Sequence, residues 1–291
     1  MLRANILFGG CLLSASLWAI SGAVADILPT HPKEPDAIIF ESGDIGGRDA
    51  FAKARVTEKS ARDWCENWRL GDPVKTCAAE IMQAEAERVY EAKADCHAGV
   101  LTSISGDRYR YDGLWKNTSD GMWDGWQRFK DDNGKNVGTS NAAGGLTLAA
   151  QWRTLCPYGA PLGKQPLKMV LSENDYSISG ELVGHNGSGV LIDAEMGTIS
   201  YRVPKDSIAG IVTTGTLLFR GSIIYDGPVE GMAFTFKKGC EPAPYKVEGY
   251  FQGNSDKLVL RGKAPVRKGC DVVGYTEKSP NAALVFDLPH H

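Results

Sequence analysis

The chain has 291 residues, with 32 lysines and arginines against 35 aspartates and glutamates, for a formal charge of −3. That mildly acidic balance excludes an electrostatic partnership with nucleic acid or with an anionic membrane face, both of which need a basic surface. The length suffices for two or three small domains, and 34 glycines suit many short strands and turns.

Residues 1–25 read as a secretory signal peptide. Arg3 gives a positive start, Ile6 to Ile20 form an apolar run, and Ala23 and Ala25 place small residues ahead of a cleavage point before Asp26. The run is shorter than the roughly 20 residues a spanning helix needs, and no later stretch is apolar enough to cross a bilayer. Gly9-Gly10-Cys11 has small residues before a thiol, as in a lipoprotein, but Cys11 lies too early for an apolar region to precede it. The expected location is periplasmic or secreted.

Removing that segment takes Cys11 from the seven cysteines and leaves Cys65, Cys77, Cys96, Cys156, Cys240 and Cys270. An even number in an exported chain points to a disulfide framework. Pairing neighbours in order, Cys65–Cys77, Cys96–Cys156 and Cys240–Cys270, lets each bridge bracket one segment of consistent character. Closing a loop of about 60 residues, as Cys96–Cys156 does, removes roughly 4 kcal/mol of unfolded-chain entropy. A zinc site is disfavoured, because no two cysteines have C-x-x-C spacing and only His97 stands beside one. No metal or cofactor is expected.

In chain order, residues 26–55 carry Pro29, Pro32, Pro35 and the acidic Glu41 to Gly47 stretch, and read as an extended leader. Residues 56–157 read as a helical hairpin followed by a Trp-rich β module. Ser60 and Asp63 resemble a capping box for a helix bearing Trp64, Cys65 and Trp68. Gly71-Asp72-Pro73 breaks it, and Asp72 suits the N-cap of a second helix, with Pro73 in its first turn. Val74, Ala78, Ile81, Glu85, Val89 and Ala92 follow a 3.6-residue rhythm across that helix. From residue 96 the period changes to two: Tyr109, Tyr111 and Gly113 alternate with Arg108, Arg110 and Asp112. Asp131 to Gly134 marks a turn, and Leu146 to Trp152 reads as a buried strand.

Residues 158–166 hold Gly159, Pro161, Gly163 and Pro166 and read as a linker. Residues 167–212 form a β meander, with Tyr176, Ile178 and Leu182 on one face and a Gly184 to Gly189 turn. Residues 213–291 form a C-terminal β module with Phe234, Tyr245, Val247, Leu258, Leu260 and Phe286 as core. The expected fold is therefore mainly β with an N-terminal helical hairpin (α+β): small antiparallel sheet or barrel modules stapled by disulfides.

Three sets of residues carry a resemblance. Ala94-Asp95-Cys96-His97-Ala98-Gly99 with Gln151-Trp152 to Cys156-Pro157 is one. Lys238-Gly239-Cys240 and Ala243-Pro244-Tyr245, with Leu260 to Val266, Gly269-Cys270 and Val273-Gly274-Tyr275, is the second. Together they resemble modules of exported alphaproteobacterial, rhizobial-type, multi-module cysteine-containing envelope proteins. Asp175 to Gly180 is similar to a small β module found beside phosphate-binding and OmpA-like domains. The resemblance, over roughly residues 60–288, implies compartment and fold and transfers no catalytic residue.

Catalytic chemistry is hard to assemble from this chain. Nucleophilic hydrolysis needs Ser or Cys with a histidine base, and beyond the signal peptide the histidines are His31, His97, His185, His290 and His291. Ser188 lies near His185, but Gly184 to Gly189 lacks the glycine spacing of a nucleophile elbow and is not a dinucleotide fingerprint. Asp131 to Gly134 faintly resembles a calcium loop, but Ala142 stands where the twelfth-position acid belongs. The sequons at Asn117 and Asn186 count for little in a bacterial host. The aromatic loop from Leu114 to Trp126 is the candidate binding feature. Trp115, Trp123 and Trp126 could stack on a sugar ring or a partner's apolar patch; the ordinary alternative is that they fill a small β core. The expectation is a non-enzymatic envelope protein with a binding or structural role, its partner a glycan or another protein. The alternative is an envelope hydrolase, or its accessory subunit, whose site is assembled from distant residues.

Overall fold

A computed structural model describes residues 27–31, 33–69, 71–118, 122–139, 144–164, 166–252 and 255–289. Residues 1–25, read as a signal peptide and including Cys11, and the terminal His290 and His291 lie outside the described residues. Mainly β, the described residues form a curled seven-stranded sheet, a closed eight-stranded barrel, three α-helices and three disulfides. Among the described residues no helix is long and apolar enough to cross a membrane.

The sheet is an antiparallel meander of β1 (Ile27–Leu28), β2 (Ala37–Gly43), β3 (Ala50–Arg55), β4 (Tyr90–Asp95), β5 (Val100–Thr102), β6 (Arg108–Leu114) and β7 (Gln127–Asp131). Residues 27–55 are thus three strands of the core sheet, which corrects the leader reading of 26–55. Prolines and an acidic turn drew attention away from the Ala50-Phe51-Ala52-Lys53-Ala54-Arg55 alternation, whose alanines are all buried.

Two helices, α1 (Glu58–Trp68) and α2 (Val74–Glu85), are inserted between β3 and β4 and stapled by Cys65–Cys77. The capping box is formed by Thr57 and Ser60, three residues before the expected one. The cap of α2 is Pro73, with no side-chain cap bond from Asp72. The rhythm running on to Ala92 outlasts the helix, because Ala92 is buried on β4.

The third helix, α3 (Gly145–Leu155), packs against β1, β3, β4 and β7 and buries Leu148, Ala149, Trp152 and Leu155. This corrects the strand reading of Leu146–Trp152. Leu148, Trp152 and Leu155 recur at helical spacing, and small alanines on β3 and β4 let the helix approach closely. Cys96–Cys156 joins the end of β4 to the end of α3.

The remaining strands are β8 (Glu181–His185), β9 (Ser188–Asp193), β10 (Thr198–Val203), β11 (Leu217–Ile223), β12 (Gly227–Thr235), β13 (Ala243–Phe251), β14 (Lys257–Arg261), β15 (Ala264–Lys268), β16 (Asp271–Thr276) and β17 (Ala283–Asp287). The barrel closes in the order β10-β11-β12-β13-β14-β17-β8-β9. Residues 167–212 and 213–291 therefore build one barrel, not two modules. Closure requires β17 from the end of the chain to pair β8 from the beginning of the unit, a contact that sequence periodicity does not report. Eight strands leave an interior that side chains just fill, here Ile192, Ile199, Phe219, Val229, Leu258 and Phe286, all fully buried. The β15–β16 hairpin stands outside the barrel and is tied to the β12–β13 connection by Cys240–Cys270.

Candidate functional site

The segment 158–166, read as a linker, is bolted to both units. Leu162 and Gly163 donate backbone hydrogen bonds to the carbonyls of Cys96 and His97, and the Trp152 indole donates to the Gly159 carbonyl. On the barrel side Gly159 and Gly197 both press against the Gly221 carbonyl, so close that a Cβ on either would lie 2.4 Å or 2.1 Å from that oxygen. Both glycines also have positive φ.

The tryptophan loop lies at this seam. Trp115, Trp123 and Trp126 are each half-buried. Trp126 packs against the core of the sheet unit, and the Arg153 guanidinium sits 4.4 Å from its ring centre. Trp115 carries Arg128 at 5.6 Å, and Trp123 meets Trp126 edge-on at 6.2 Å between centroids. Next to them Lys116 pairs with Glu195 of the barrel. One face of the Trp115 and Trp126 rings is thus taken by a protein cation.

The rings of His97 and His185 both make backbone contacts. Nδ1 of His97 bonds the Gly163 carbonyl at 2.8 Å, and Nδ1 of His185 bonds the Val285 carbonyl at 2.8 Å. The Ser188 hydroxyl, opposite His185 in the β8–β9 hairpin, accepts the Lys205 amide at 3.0 Å. Among the described residues no group of three or more His, Cys, Asp or Glu side chains could hold a metal ion.

An open groove of about 460 Å³ lies on the face of the sheet opposite the core. Strand register builds it. Gly43, Phe51, Lys93 and Thr102 form one cross-strand row over β2 to β5, and Glu41, Lys53 and Glu91 form the next. Phe51 lies over Gly43, where a Cβ would come within 2.5 Å of the ring. A glycine there leaves room for the ring, and the Lys53 ammonium stands 5.7 Å from its centre.

Around Phe51 stand three cations, Arg48, Lys53 and Lys93, and three acids, Asp49, Glu91 and Asp95. Lys53 pairs with Glu41 at 3.0 Å and Lys93 with Glu91 at 3.3 Å. The Asp95 carboxylate accepts the amides of His97 and Ala98, fixing its rotamer. On β2 a bulge between Ile39 and Glu41 turns Phe40 outward, 53% exposed, under the Arg55 guanidinium. Nothing in the sequence alone marked this groove: its residues are an ordinary alternating strand until register lines them up.

Comparison with protein-family models, with curated proteins and with solved structures gives no match for this chain.

Proposed function

We propose that this is an exported binding protein, periplasmic or secreted and non-enzymatic, that holds a neutral glycan in the groove over β3, β4 and β5. The observation that carries the reading is the Phe51 ring over Gly43, with the Lys53 ammonium 5.7 Å from its centre, inside a frame of three cations and three acids. An aromatic face takes the apolar face of a sugar ring. The frame offers donors and acceptors in equal supply with no net charge, which suits hydroxyl groups that do both. A strongly anionic or cationic ligand gains nothing from such a frame.

Three disulfides support an oxidising compartment. On this reading Trp115, Trp123 and Trp126 contribute through the seam and not through ligand contact. The hydrolase alternative has less behind it, since the His97 and His185 rings are bonded to backbone carbonyls and not to a serine or carboxylate.

A charge series tests the proposal by calorimetric titration: chitotetraose as the neutral probe, a hyaluronate tetrasaccharide as the anion, and a chitosan tetramer as the cation. Binding of chitotetraose that exceeds both charged probes is expected. Absence of binding by the neutral probe, or preference for a charged one, overturns it.

A further inference from the structure

A second cavity, of about 160 Å³, opens at one mouth of the barrel, far in the chain from the groove residues. Its walls are mixed: Leu218, Phe234 and Leu284 are apolar, Ser188, Lys205 and Asn281 are polar, and Tyr201 meets Phe236 edge-on at 6.2 Å. Two polar groups among its lining residues are left with unused capacity. The Thr235 hydroxyl oxygen is buried and has no hydrogen-bond partner among the described residues.

The other is the His185 ring. It is buried and stacked on Phe286 at 4.8 Å. A carbonyl can only accept, so the bond to Val285 places the proton on Nδ1 and leaves Nε2 as an acceptor. Burial holds the imidazole below its ordinary pKa, and Lys205 pushes the same way, while the Val285 bond and Asp287 oppose it.

We propose that this mouth binds a small uncharged molecule with a ring-sized apolar body and one hydroxyl or N–H group. Size sets the body. A cavity of about 150 Å³ holds a benzene ring, and this one, with polar as well as apolar walls, has the same volume. Chemistry sets the head. A neutral Nε2 requires a donor, and a threonine hydroxyl accepts or gives a second bond. A carboxylate head only accepts, so it meets Nε2 with no proton between them. The Lys205 ammonium, already donating to the Asn186 carbonyl, disfavours a cationic head.

The test uses the full exported chain, ¹⁵N-labelled, titrated at pH 7.5 with p-cresol, toluene and p-toluate. Saturable amide shifts confined to β8, β10, β12 and the strands beside them are expected with p-cresol. Toluene fills the same space without a donor, so its binding should be about tenfold weaker, the worth of one hydrogen bond; p-toluate should be weaker still. Thr235→Val keeps the side-chain shape and should bring p-cresol down toward toluene, with the rest of the spectrum unchanged. Protonating His185 removes the acceptor, so p-cresol affinity should fall as pH drops below the ordinary histidine range. Tighter binding of p-toluate than of p-cresol, shifts scattered over the surface, or no saturable shift at all overturns the proposal. The chitotetraose titration is independent of each of these outcomes.

Discussion

Arg153 of α3 reaches out of the sheet unit to Glu230 of the barrel, with its Nε 3.3 Å from the carboxylate and its guanidinium over the Trp126 ring. Arg153 is almost wholly buried, and its Nη1 has no hydrogen-bond partner among the described residues. Burial pulls its pKa down and Glu230 partly restores it. A buried charge of this kind depends on its counter-ion.

Breaking that pair from the barrel side should therefore hurt more than removing the charge altogether. Glu230→Gln strands the guanidinium, whereas Arg153→Met keeps the stem packed on Trp126 and removes the ion. We expect Glu230→Gln to cost about 1–3 kcal/mol and Arg153→Met to cost less. Urea denaturation followed by tryptophan fluorescence compares them directly, and the reverse order contradicts the assignment.

Close approach at the seam makes a second prediction. Gly159 has a φ of +78° and touches the Gly221 carbonyl. Gly159→Ala meets both the left-handed backbone and the clash, at a cost of about 2–4 kcal/mol. Separation of the two units should follow, visible as proteolytic cleavage within 158–166 that the unaltered chain resists.

The three disulfides should not reduce together. Cys65, Cys77, Cys96 and Cys156 are each at most 2% exposed. Cys240 is half-buried and Cys270 exposed, on a hairpin outside the barrel. Mild reductant with mass-spectrometric mapping should open Cys240–Cys270 first and leave barrel circular dichroism intact. Loss of Cys96–Cys156 should cost about 4 kcal/mol, because it closes the longest loop.

His185 ties stability to pH. Its folded pKa lies below the ordinary value near 6.5. The unfolded chain then binds the proton more readily, so this contribution is complete above about 6.5 and declines as pH falls from there toward the folded value. Replacing His185 with Gln should flatten that part of the stability–pH curve. A curve unchanged by the substitution contradicts the neutral buried assignment.

What the sequence conveyed was local. Alternation, turn glycines and cysteine order are short-range signals, and they carried the β class, the hairpin of α1 and α2, and all three disulfide pairs. Leu146 to Trp152 misled because a short apolar run fits a strand or a buried helix equally well. Sequence periodicity splits the barrel in two because pairing of β17 with β8 is a closure across the whole unit. Phe51 and Lys93 were invisible as a pair because only the β3–β4 register sets them side by side. The tryptophans stood out by residue type, yet Arg128 and Arg153, distant in sequence, determine what their rings face.

The most direct measurement is a map of where chitotetraose lands. Amide and indole signals of the labelled chain, followed through a titration, should move at Phe51, Lys93 and Thr102 and stay fixed at the indoles of Trp115, Trp123 and Trp126, and Phe51→Ala should weaken binding about tenfold. Movement of the three indoles with the groove silent, or affinity indifferent to Phe51, contradicts the account.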